Sequence, residues 1–143
     1  MKQIVLISHG EFARGLKETL EMFVGPREDI HVVMLEPDES TDTLRHKYND
    51  LFSSFDKEDE VILACDILGG SPMSTALEVL EENALLQKAL IFTGVNVPLM
   101  IQLAVSAESS ERDELIAMVR NSGEFAPGYY DQNQSDTSAE EEI

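Results

Sequence analysis

The sequence is poor in basic residues, which excludes several functions at once. Only 10 lysines and arginines stand against 28 aspartates and glutamates in its 143 residues, which gives a formal net charge of −18. Proteins that bind nucleic acids or anionic lipid surfaces use clustered basic side chains, so this balance argues against both functions. It favours protein partners that present basic surfaces.

Cysteines and long apolar runs are equally scarce. The single cysteine, Cys65, cannot form an internal disulfide, which is compatible with a reducing compartment. The apolar run before Ser8 is too short for the core of a signal peptide, and no stretch approaches the roughly 18 apolar residues of a membrane span. Because 43% of the residues are hydrophobic, the chain can still bury a core. We therefore expect a folded, cytoplasmic protein.

Strand and helix patterns alternate along the first 120 residues. Short apolar runs predict four strands, at 3–8, 30–35, 61–65 and 88–93. Apolar residues at helical spacing predict the helices, at 12–24, from Ser40 or Thr41 to about 55, from Ser71-Pro72 onward, at 98–107 and at 113–120. In the first helix the predicted apolar face consists of Phe12, Leu16, Leu20, Phe23 and Val24.

This alternation predicts a doubly wound α/β domain. Apolar strands separated by helices are typical of a mainly parallel sheet covered on both faces, and the right-handed crossover rule then gives a doubly wound domain. We assume the strand order 2-1-3-4 for it. Residues 124–130 are a candidate antiparallel edge strand, since Pro127 suits only an edge. We predict a domain over 1–130. The segment 131–143, with five acidic residues and no basic one, is predicted to be a disordered acidic tail.

Two loops are expected to meet at one edge of this sheet. In open α/β sheets, ligands bind beyond the carboxyl ends of the strands, at the point where the winding reverses. With the order 2-1-3-4, the first and third strands are neighbours there, and they are followed by 8–10 and 66–71. The pattern therefore predicts that His9 and Asp66 lie close together.

A histidine backed by a carboxylate is suited to nucleophilic chemistry. Asp66 would accept the Nδ1 proton of His9 and would leave Nε2 as a free nucleophile. Phosphoryl transfer asks little more of a protein than positioning and electrostatics. No metal ion and no cofactor are predicted for such a step.

Backbone groups could hold the phosphoryl oxygens. The two loops contain no lysine or arginine, so N–H groups at the starts of the helices would bind the oxygens. Gly10, Gly69 and Gly70 let the backbone approach closely, and Ser71 could add a hydroxyl donor. Each residue also has an ordinary explanation: a histidine in a loop, an aspartate that caps a turn, and a common type of helix start.

Three segments together resemble a known family. Residues 7–10 with the helix that follows them to Gly25, residues 66–72 and residues 94–100 resemble the enzyme IIA component of the mannose-type (mannose, fructose, sorbose) bacterial sugar phosphotransferase system. The similarity covers roughly residues 1–123. It implies that His9 is phosphorylated through Nε2, that Asp66 is its hydrogen-bonded partner, and that Ser71 helps to hold the phosphoryl group.

The resemblance also implies partners. The donor would be the phosphocarrier protein HPr, and the acceptor an enzyme IIB component, which phosphorylates sugar during its passage through the membrane components IIC and IID. Family members are dimers in which a final strand completes the partner's sheet, so a homodimer is expected. Residues 124–130 match that strand poorly. No IIB domain follows in this sequence, so IIB is expected to be a separate chain.

Other functions use similar residues. The phosphoryl-donor subunit of dihydroxyacetone kinase shares the fold and a histidine after the first strand, and a phosphorylation-dependent regulatory module would use the same chemistry. Histidine phosphatases have an arginine where this chain has Ser8. Receiver domains need an acidic pair after the first strand, which residues 8–10 do not supply.

Overall fold

A computed structural model describes residues 1–121 and 123–133 of the protein. Its sheet consists of the strands β1 (Lys2–His9), β2 (Ile30–Leu35), β3 (Glu60–Cys65) and β4 (Leu90–Thr93). The helices are α1 (Phe12–Val24), α2 (Thr41–Phe52), α3 (Gly70–Glu82), α4 (Val97–Ser106) and α5 (Arg112–Asn121), with a 3-10 turn at Leu86–Lys88. None of these helices combines the length and the apolar character needed to cross a membrane.

The sheet has the predicted topology. Its strand order is β2-β1-β3-β4, and all the neighbouring strands pair in parallel. Ile7 of β1 lies beside Val33 of β2 and Cys65 of β3. Because the strands are parallel and in this register, the loops that follow β1 and β3 leave the same edge of the sheet side by side.

Helices cover both faces of the sheet, as predicted. Side chains along β1 alternate between the faces, since successive residues of a strand point in opposite directions. Ile4 and Leu6 belong to a core that includes residues of α1, α4 and α5. Val5 and Ile7 belong to a second core, built with residues of α2 and α3. β1 is thus buried on both sides and is a firm support for the residue that ends it.

The first helix has the predicted bounds but not the full predicted face. It ends at Gly25, whose φ of +79° suits glycine. Leu16 and Leu20 are buried, whereas Phe12 and Phe23 are 47% and 64% exposed. By helical spacing, Phe12 and Phe23 lie at the edge of the buried face of α1. They are on the predicted side of the helix, but they are not part of the core.

The starts of α3 and β4 differ most from the predicted ones. Ser71 does not cap α3, because the helix begins one residue earlier, at Gly70, with Gly69 before it and no side-chain cap. Both glycines have φ of +81°, which turns the chain into the helix before Ser71 is reached. β4 begins at Leu90, since the residues before it form the 3-10 turn.

The candidate edge strand is not seen in the structure. The described residues 124–130 form turns and irregular backbone. The side-chain amide of Asn96 donates to the carbonyl of Phe125, which ties this segment to the start of α4. Most of the predicted acidic tail, 134–143, lies outside the described residues, so the domain boundary at 130 stays a prediction.

Candidate functional site

His9 and Asp66 are in direct contact, as the topology predicts. His9 is the last residue of β1, and Asp66 directly follows β3. The Nδ1 atom of the His9 ring lies 2.9 Å from Oδ2 of Asp66, and the backbone N–H of His9 donates to the same oxygen at 2.9 Å. The backbone N–H of Asp66 donates to the carbonyl of Ile7, so the aspartate is held to β1 by its backbone as well.

Asp66 is an ionised acceptor. Burial raises the pKa of this carboxyl, but hydrogen bonds from the backbone and ring of His9 and from the backbone of Ile67 outweigh that effect and hold the pKa below its usual range. Oδ1 accepts the N–H of Ile67 at 2.9 Å. Both carboxylate oxygens are therefore occupied by donors, which keeps the side chain in one orientation.

The ionised carboxylate fixes the tautomer of His9. An ionised aspartate can only accept hydrogen bonds, so the proton of a neutral His9 ring must lie on Nδ1. The Nε2 lone pair is then free. The His9 side chain is 44% exposed and that of Asp66 is 16% exposed. The ring is accordingly accessible to a partner molecule, while its orienting group is mostly shielded from water.

Gly70 lies against the Cε1 and Nε2 side of the His9 ring. A Cβ atom on Gly70 would stand 3.0 Å from Cε1 and 3.2 Å from Nε2 of His9, and the residue has φ of +81°. Gly10 and Gly69 also have positive φ, but a Cβ on either would meet nothing within 4 Å. Of the predicted glycines, Gly70 is therefore the one whose missing side chain makes room for the histidine.

The starts of two helices border the histidine. α1 begins at Phe12 after the Gly10 turn, and α3 begins at Gly70. The first N–H groups of a helix have no acceptor within the helix, and they favour anions. Ser71 follows Gly70 in the first turn of α3 and is half-buried. The backbone of Gly70 is the part of α3 that approaches the ring; the roles predicted for the N–H groups and for Ser71 stay predictions.

Ser8 has a role that sequence reasoning missed. This side chain is fully buried. Its hydroxyl donates to the carbonyl of Gly10 at 3.0 Å and accepts the N–H of Ala13 at 2.9 Å. It therefore holds the turn on both sides of His9 and supplies a capping acceptor to α1. The sequence feature that could have indicated this role is a serine directly after the apolar residues 4–7 of β1.

The surface near His9 is apolar where the loops project. Phe12 is 47% exposed, Ile67 52% and Leu68 76%. Phe12 opens α1, while Ile67 and Leu68 follow Asp66 in the loop after β3, so both residues of the His9–Asp66 pair have exposed apolar side chains close to them in the sequence. Cys65 directly precedes Asp66, but burial, followed by the charge of Asp66, raises its pKa to about 12, so the thiol is not a nucleophile at neutral pH.

The described residues do not form a metal site. Within 1–121 and 123–133, no three or more His, Cys, Asp or Glu side chains are grouped as a metal ion would require. The arrangement around His9 instead combines a free ring nitrogen, a fixed carboxylate and helix N–H groups. These parts can accept and release a phosphoryl group by positioning and electrostatics alone.

Comparison with known proteins identifies relatives of this chain. The chain is 29% identical over 121 residues to the PTS system mannose-specific EIIAB component of Escherichia coli K12, an alignment that covers 84% of this chain and 36% of that protein. It therefore spans about a third of the length of that relative. It is also 29% identical over 103 residues to the PTS system fructose-specific EIIA component of Bacillus subtilis, covering 72% and 68% of the two chains.

Solved structures show the same fold. The PTS IIA protein associated with the fucose utilization operon from Streptococcus pneumoniae superposes with a TM-score of 0.70 at 27% identity, covering 97% of this chain and 95% of that one. The mannose/sorbose specific IIA subunit from Enterococcus faecalis has a TM-score of 0.79 at 23% identity, covering 95% and 100%. The family model described as "PTS system fructose IIA component" matches residues 3–120. The protein therefore belongs to this family of IIA components of the sugar phosphotransferase system.

Proposed function

We propose that this protein is a phosphoryl carrier in sugar uptake, a phosphotransferase that accepts a phosphoryl group on His9 from phospho-HPr and passes it to an enzyme IIB component. The observation that carries the proposal is the 2.9 Å hydrogen bond between Nδ1 of His9 and Asp66. That bond leaves Nε2 as the free nucleophile on an exposed ring. Membership of the IIA family supplies the reaction class.

The phosphoryl transfer can be written in full with the groups present at the site. The Nε2 lone pair forms a bond to phosphorus while the bond between phosphorus and the donor breaks, and the donor atom keeps that electron pair. The ring then carries a proton on Nδ1 and the phosphoryl group on Nε2, and the Asp66 carboxylate stabilises its positive charge. Transfer to IIB is the same step with the phosphorylated His9 as the donor.

Backbone groups hold the phosphoryl oxygens in this proposal. The N–H groups of Gly70 and Ser71 open α3 beside the ring, and the Ser71 hydroxyl adds a further donor. Gly10 and Gly69 allow the two loops to close around the group. Neither loop contributes a lysine or arginine. The phosphoryl group is therefore bound without a positively charged side chain and can be released to the acceptor.

The proposal also includes the partners and the oligomeric state of the carrier. HPr and IIB are cytoplasmic partners of the carrier, with indirect association to the membrane components IIC and IID, and the carrier acts as a homodimer. Relatives named for mannose and for fructose are both 29% identical to this chain, so these identities do not name the sugar. Specificity for sugar is assigned to the membrane components.

Stepwise labelling tests the proposal. The protein is mixed with phosphoenolpyruvate, enzyme I and HPr, and its intact mass is followed beside His9→Gln, Asp66→Asn and Asp66→Ala variants. His46→Gln is the matched control, because His46 is an exposed histidine on α2. We expect one added phosphoryl group, labile in acid, that requires HPr, is absent in His9→Gln, is slowed in both Asp66 variants and is unchanged in His46→Gln. Labelling of His9→Gln, or no labelling of the wild type, would refute it.

A further inference from the structure

Tyr48 is a buried tyrosine of α2 whose hydroxyl reaches another helix. The side chain is fully buried and stacks on Phe52, with ring centroids 5.5 Å apart and planes 9° apart. Its hydroxyl donates to the backbone carbonyl of Pro72 at 2.7 Å. Buried hydroxyl groups need a partner, and here the partner is a backbone carbonyl of α3 and not a neighbouring side chain.

The acceptor lies in the first turn of α3. Pro72 is the third residue of that helix, and Gly70 and Ser71 precede it. The backbone at Gly70 approaches His9 so closely that an added Cβ would lie 3.0 Å from the ring. A small shift of this turn would therefore change the distance between its N–H donors and the Nε2 atom.

Tyr48 acts as a permanent donor in this position. Burial raises the pKa of its hydroxyl, and the charges of Cys65 and Asp66 raise it further, so the phenol stays protonated at every physiological pH. Its link to the site is therefore the hydrogen bond to Pro72.

We propose that Tyr48 is a positioning residue for phosphoryl transfer at His9, whose buried hydroxyl fixes the first turn of α3 at the distance from the ring that binding of the phosphoryl oxygens requires. This inference rests on the proposed function. Tyr48 touches neither the reacting nitrogen nor the protein surface, so its effect on transfer acts through the turn that it holds.

The test is Tyr48→Phe, which removes one oxygen and keeps the stacked ring. Phe52→Leu is the matched control: it disturbs the same core and the same ring pair but leaves the hydroxyl in place. Labelling of His9 is followed in single turnovers at increasing phospho-HPr concentration. For each variant, this gives the limiting rate constant (here kcat) and the half-saturating concentration (here KM), and the midpoint of urea unfolding is measured as well. In Tyr48→Phe we expect kcat to fall about tenfold, because misplacement of binding groups lowers the rate, while KM is unchanged. In Phe52→Leu the midpoint should fall while kcat stays near that of the wild type.

Three results would refute the proposed role of Tyr48. A kcat of Tyr48→Phe equal to that of the wild type, with the wild type labelled normally, would refute the role of Tyr48 and leave the proposed function intact. An equal fall of kcat in Phe52→Leu would show that lost stability is the cause, which would also refute it. If the wild type itself is not labelled by phospho-HPr, the proposed function fails first and the inference fails with it.

Discussion

Substitution of Gly70 by alanine should displace the His9 ring and slow its phosphorylation without unfolding the protein. The new methyl group would lie 3.0 Å from Cε1 and 3.2 Å from Nε2 of His9, whereas carbon atoms pack at about 3.5 to 4.0 Å. The ring is the part that can yield, because it is 44% exposed. A displaced ring loses the 2.9 Å geometry of its bond to Asp66.

The size of the effect follows from that bond. A hydrogen bond to a charged group contributes about 1.5 to 3 kcal/mol, and each 1.4 kcal/mol changes a rate by about tenfold. If the bond is lost, phosphorylation of His9 should slow by about tenfold to a hundredfold. The methyl group also occupies space beside Nε2, which acts in the same direction. The initial rate of labelling by phospho-HPr, followed by mass spectrometry, measures the effect.

Gly25→Ala separates this effect from backbone strain. Gly25 has φ of +79°, against +81° for Gly70, but a Cβ there would meet nothing within 4 Å. Both substitutions should therefore cost about 1 to 3 kcal/mol of stability from backbone strain, measured by urea unfolding. Only Gly70→Ala should lose the labelling rate. Labelling of Gly70→Ala at the wild-type rate, or an equal loss in both variants, would refute the steric reasoning.

Two further predictions concern stability. Ser8→Ala should lower the free energy of unfolding by about 1 to 3 kcal/mol, because the buried N–H of Ala13 and the carbonyl of Gly10 lose their partner; a loss under about 0.5 kcal/mol in urea titrations would contradict this. Asp29→Asn should destabilise the protein at neutral pH, because Arg27 donates two 2.7 Å hydrogen bonds to this carboxylate and, against burial, lowers its pKa. A lowered pKa stabilises the fold above the pKa of the unfolded chain, so the difference from the wild type should close as the pH falls below about 4. A difference that stays constant in urea titrations down to acid pH would show that the charge plays no part.

The parallel sheet and the contact between His9 and Asp66 could be predicted from the sequence. Apolar strands that alternate with helices predict a doubly wound parallel sheet, and the assumed order 2-1-3-4, which the structure has, makes the first and third strands neighbours at the edge where ligands bind. The contact then needs only that the two residues directly follow those strands. It does not depend on the details of any turn, so it was within reach of sequence reasoning.

Features that depend on local angles could not be predicted. Periodicity assigns Phe12 and Phe23 to a side of α1, but the angle at which the helix meets the sheet decides that both are exposed. The preference of serine for N-caps suggested that α3 starts after Ser71, whereas two glycines with positive φ start it earlier. The hydroxyl bonds of Ser8 depend on the geometry of one turn, which no spacing rule describes.

One carboxylate oxygen receives both N–H groups of the same residue: Oδ2 of Asp66 binds the backbone and the ring of His9, each at 2.9 Å. The orientation of the ring is therefore chosen when the chain folds, and the conformational entropy of ordering the ring is lost at that time. A partner protein that reaches His9 meets a side chain already confined to one rotamer, although much of the ring is in contact with solvent. On the picosecond to nanosecond timescale this exposed histidine should behave like a residue of the core.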